Sequence, residues 1–97
     1  MSAIQAEVHY SGRVQGVGFR YNAERIAKGF EVTGFVQNLP DRRVRLVAEG
    51  ERAEVERFLA AVQESMSANI ESASFEERSF SGSFPRFEIR HSCPPDH

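Results

Sequence analysis

Ile4, Ala6, Val8 and Tyr10 alternate with Gln5, Glu7 and His9, the period of two that a strand shows when one face is buried and the other is wet. The period changes after Arg20. Ala23, Ile26, Ala27 and Phe30 fall on one stripe of a helix, with Glu24, Arg25 and Lys28 outside it and Gly29 as a stop signal. Val32 to Asn38 reads as a second strand, which Leu39-Pro40-Asp41 turns into a third from about Arg43 to Glu49, so the two make a hairpin. Gly50-Glu51 precedes a second helix, where Val55, Phe58, Leu59 and Val62 occupy the i, i+3, i+4, i+7 positions of a buried face. Ser67-Ala68-Asn69 breaks that pattern. Ile70 to Arg78 then offers a fourth strand, and Phe87 and Ile89 alternate with Glu88 and Arg90 in a short last one.

The order βαββαβ, followed by a short C-terminal strand, is that of an α+β sandwich. Right-handed crossovers put both helices on one face of a mainly antiparallel sheet and leave the opposite face free. The chain has 97 residues, 40% of them hydrophobic, enough for one core. We expect one domain over residues 1–91 and a tail over 92–97, where Pro94-Pro95 favours disorder.

Between the first strand and the first helix lies GRVQGVGFR, Gly12 to Arg20. Its glycines permit turns that a Cβ would forbid, so that N–H groups can converge on one point. Gln15, Gly16, Val17, Gly18, Phe19 and Arg20 are the candidate backbone cradle for a tetrahedral oxyanion. Arg20 adds a planar, permanently charged fork beside the start of a helix, where anions are favoured. Neither of the common glycine-rich nucleotide patterns is matched. Asn38 stands at a strand end. Two plainer roles compete with these: an Arg20–Glu24 ion pair along the helix, and Asn38 as a turn former before Leu39-Pro40.

The segments GRVQGVGFR, TGFVQN and VRLVAEG closely resemble the acylphosphatase family, and the resemblance runs from the first strand to Phe87-Glu88-Ile89-Arg90. It implies a ferredoxin-like fold and hydrolysis of the carboxyl-phosphate bond of small acyl phosphates, giving a carboxylate and inorganic phosphate without metal or cofactor. By the same resemblance Arg20 binds the phosphate and Asn38 positions the attacking water. So small a site suffices chemically: the leaving carboxylate has a reference pKa of about 4, so no proton donor need assist it. What remains is to neutralise phosphoryl charge and place water in line. Three residues depart from the family pattern. Arg42 stands where the family usually has glycine, so either a left-handed arginine or another turn type is expected; Asn22 stands where the family commonly has an apolar or aromatic residue, and Tyr10 where an aliphatic is more usual.

Net charge is −2, which gives no broad reason to expect nucleic acid. Val44-Arg45-Leu46-Val47-Ala48 also offers no aromatic for base stacking, so an RNA-binding reading ranks below hydrolysis. A non-hydrolytic accessory module for acyl or carbamoyl phosphate is the other alternative. His9, His91 and His97 lack close ligand spacing, and Cys93, the only cysteine, has no partner for an intrachain disulfide. Asp41 and Glu49 read as solvated acids without a catalytic role. No leader or membrane segment is legible, and the expectation is a cytoplasmic monomer.

Overall fold

The first strand runs two residues past Tyr10. In the computed structural model, which describes residues 2–91, β1 spans Ala3–Gly12 and buries Ile4, Ala6, Val8 and Tyr10 on one face. The hydrophobic stripes then form α1 (Phe19–Ala27) and α2 (Arg52–Ser65), with β2 (Thr33–Asn38) and β3 (Val44–Glu51) between them and β4 (Ile70–Ser79) and β5 (Phe87–Arg90) after. The expected tail and His97 lie outside the described residues.

The sheet order is β4-β1-β3-β2-β5. All pairs are antiparallel except β2 with β5, which is parallel. Both helices pack on one face, α2 over β1 and β3 and α1 over β2 and β5. Val36, Val44, Leu46 and Ala48 from the central strands meet Ala23, Ala27, Val55, Phe58 and Val62 from the helices in one core cluster. This is the α+β, ferredoxin-like arrangement expected from the sequence.

The opposite face is not free, contrary to expectation. The connection from β4 to β5 crosses it. Phe84 packs against Phe35 at a ring separation of 5.7 Å, and Arg90 lies over the same ring at 3.8 Å. Glu49, expected to be solvated, is only 1% exposed. Its carboxylate accepts hydrogen bonds from the Ser81 N–H and hydroxyl, the Gly82 N–H and Gln5 Nε2, at 2.6–2.9 Å. Burial alone would raise the Glu49 carboxyl, but these donors outweigh it and hold it below its ordinary value. The strand pattern showed a polar residue at 49; only the returning chain supplies its partners.

Candidate active site

The turn from β1 to α1 needs backbone that most residues avoid. Gly16 and Gly18 have φ of 76° and 79°, and a Cβ at either would meet nothing within 4 Å. Glycine is required there by conformation rather than by space. Of residues 13–18, only Arg13 donates its N–H to another backbone group, the Asn69 carbonyl at 2.9 Å. Gly18 precedes α1 with no side-chain cap, so the first-turn N–H groups keep their donor capacity and the positive end of the helix dipole faces the loop.

Asn38 is the last residue of β2 and shares the helix-side face with buried Val36. Arg20 lies in the first turn of α1. The two meet in a cleft of about 190 Å³ lined by Val14, Gly16, Gly18, Phe19, Arg20, Tyr21 and Asn38. Gln15 and Val17 face a neighbouring depression of about 600 Å³, which shares Gly16 with the cleft. The Phe19 ring is buried against Tyr10, centroids 5.0 Å apart, so Phe19 anchors the loop from below and has only its backbone to offer a ligand. Burial pushes the Tyr10 phenol well above its ordinary value, and its ring meets that of Phe19 as a tilted pair at an interplanar angle of 48°.

The competing ion pair is not formed: among the described residues Arg20 has no carboxylate within ion-pair distance. Asn22 joins the two helices instead, donating to the Ser65 hydroxyl at 2.6 Å and accepting from Arg25.

The Gln15 side chain has a role that the sequence did not disclose. Its Nε2 donates to the carbonyls of Leu39 at 2.8 Å and Arg43 at 2.9 Å, tying the loop to the hairpin that follows Asn38. The Leu39 N–H closes the same hairpin on the Arg43 carbonyl at 2.8 Å. Asp41 is exposed, as expected, and accepts from the Arg43 backbone N–H at 3.1 Å and its guanidinium at 2.8 Å. The backbone hydrogen bond is the main influence holding its carboxyl below the ordinary value. Arg42 takes the left-handed alternative, at φ 76°.

Residues 6–89 match the family model for acylphosphatase. The chain belongs to the acylphosphatase family. The acylphosphatase of Syntrophotalea carbinolica is 42% identical over 91 residues, covering 93% of this chain and 99% of that protein. Among solved structures, the acylphosphatase from Bacillus subtilis superposes with a TM-score of 0.80 at 32% identity, covering 90% of this chain and 98% of that one. An acylphosphatase from Coxiella burnetii gives 0.78 at 29% identity, covering 92% and 94%. Among the described residues of this acylphosphatase, no group of three or more His, Cys, Asp or Glu stands together as a metal site, and no helix is long and apolar enough to cross a membrane.

Proposed function

We propose that this acylphosphatase cleaves its substrate in the cleft shared by Arg20 and Asn38, with the backbone of residues 15–20 holding the phosphoryl group. Hydrolysis of acyl phosphates is the activity of the family. The observation that carries the assignment of residues is that a cation from α1, a carboxamide from β2 and a glycine loop line one small cleft.

In this reading the loop N–H groups and the Arg20 guanidinium hold the phosphoryl oxygens and neutralise charge there, work that needs fixed donors rather than proton transfer. The Asn38 carboxamide, with one donor and one acceptor end, orients water behind the phosphorus. The water oxygen bonds to phosphorus as the bond from phosphorus to the carboxyl oxygen breaks. The carboxylate leaves with the electron pair, and the water's protons pass to the phosphate and to solvent. Gln15 is a positioning residue that fixes the hairpin against the loop.

Residues 1–91 act in this proposal as one monomeric domain without metal, nucleic acid or membrane. The strap over Phe35 and Glu49 and the net charge of −2 speak against RNA on the sheet. A single cysteine suits a reducing, cytoplasmic compartment.

The test is continuous hydrolysis of benzoyl phosphate in chelator-treated buffer, beside an Asn38→Ala preparation. Turnover by the parent chain that collapses in the variant is expected. Phosphate binding without turnover in either would instead establish the accessory-module reading.

A further inference from the structure

The chain carries eleven arginines and a single lysine, and the fold keeps the lysine away from the site. Arg20 lines the cleft itself. Two depressions adjoin it. One, lined by Arg13 and Arg42, meets the cleft at Gly16; the other, of about 480 Å³, is lined by Arg25 and meets it at Gly18 and Tyr21. Every cation lining the cleft and its two neighbours is therefore an arginine. Lys28 is the C-cap residue of α1, about 12 Å from Arg20 along the helix axis. It is exposed, and among the described residues no carboxylate lies within ion-pair distance of it.

Both residue types carry a positive charge; they differ in nucleophilicity. An acyl phosphate has two electrophilic centres, and hydrolysis by this enzyme uses the phosphorus. An amine attacks the other. Nitrogen bonds to the carbonyl carbon, the bond from that carbon to the bridging oxygen breaks, phosphate leaves with the electron pair, and the nitrogen's proton passes to solvent. The resulting amide holds no phosphoryl group for the enzyme to remove, and the cation is lost. At neutral pH an ordinary lysine is unprotonated to roughly a few parts in ten thousand, and a guanidinium at least about a hundredfold less. An amine beside the cleft would also meet the carbonyl of held substrate at high effective concentration.

We propose that the arginines around the cleft protect this acylphosphatase from acylation by its own substrate, and that Lys28 is the side chain that acyl phosphates modify. The inference rests on substrate being held in the cleft of Arg20 and Asn38. Arginine supplies the charge that draws an anionic substrate without presenting an amine to it. The one side-chain amine stands at the far end of α1, where acylation leaves turnover intact.

The test is prolonged exposure of the full chain to acetyl phosphate, replenished as it is hydrolysed, with adducts located by peptide mass mapping. In the parent chain the acetyl adduct is expected on Lys28 and on no other side chain of residues 2–91, with activity retained, and Lys28→Arg should remove it. Arg13→Lys, Arg25→Lys and Arg42→Lys keep the charge. Each should be acetylated at the introduced lysine at least about tenfold faster than Lys28, with kcat/KM falling as the adduct forms. Inorganic phosphate, which fills the cleft, should slow these reactions and leave that of Lys28 unchanged. Arg57→Lys, exposed on α2, should react no faster than Lys28. If none of the three lysines outpaces Lys28 while hydrolysis and phosphate inhibition stay parental, the protective role is overturned and the hydrolytic site stands. Fast acylation that inorganic phosphate does not slow places the substrate outside the cleft and overturns both. A parent chain without an adduct at Lys28 overturns the modification site.

Discussion

Gln15 Nε2 lies 2.8 Å from the Leu39 carbonyl oxygen, and through this bond the phosphate loop grips the residue that follows Asn38. The same nitrogen reaches Arg43, so one amide spans the base of the hairpin. Gln15→Ala should therefore disturb the water-orienting side more than the phosphate-holding side. The expected outcome is a kcat lower by about tenfold to a hundredfold, with inhibition by inorganic phosphate held within about twofold. Gln15→Glu, which sets a carboxylate against two carbonyl oxygens, should be worse than alanine. A variant whose phosphate affinity falls while kcat holds would place Gln15 in binding instead.

Arg20 and Asn38 should separate in the same assays. Arg20→Ala removes the cation of the cleft and is expected to abolish measurable phosphate inhibition and reduce kcat/KM by about a thousandfold or more. Asn38→Ala should retain phosphate binding and lose kcat by about two to three orders of magnitude. Similar, near-parental turnover in both would remove the assigned roles.

The positive φ of Arg42 makes a prediction about stability. Arg42→Gly relieves the left-handed strain but loosens the unfolded chain, and the net gain should be about 0.5–1 kcal/mol by denaturant unfolding.

Glu49 should shape the acid limb of stability. Its folded-state pKa is depressed, so its contribution is present above the ordinary carboxylate value of about 4.3 and is lost as pH falls through the lower folded value. Glu49→Gln places an amide among donors that need an acceptor, costing about 1–3 kcal/mol at pH 7. Chemical denaturation of both chains should show the gap narrowing below about pH 4. A gap that stays constant down to pH 2 would mean the carboxylate is not the group being titrated.

Much of this was legible in the residues themselves. The alternation from Ile4 to Tyr10 and the stripe Val55, Phe58, Leu59 and Val62 report burial directly, because each element's own geometry turns those side chains to one face. The glycines of the loop and the end-of-strand place of Asn38 were equally plain. Glu49 was misread because its partners at Ser81 and Gly82 lie more than thirty residues further on. The Gln15 side chain was passed over because the carbonyls it binds converge only once the hairpin has closed on Arg43.

Sequence alone determined the order of elements, the conformational demand at Gly16 and Gly18, and the residue types able to hold a phosphoryl group, since periodicity, φ and side-chain charge are local properties. Only the tertiary structure decided that Arg20 and Asn38 share a cleft, that Arg13 and Arg42 line a depression beside it, and that Glu49 is buried. These depend on which distant carboxylates and N–H groups the sheet order brings within hydrogen-bond range, and that pairing exists only after the chain has folded.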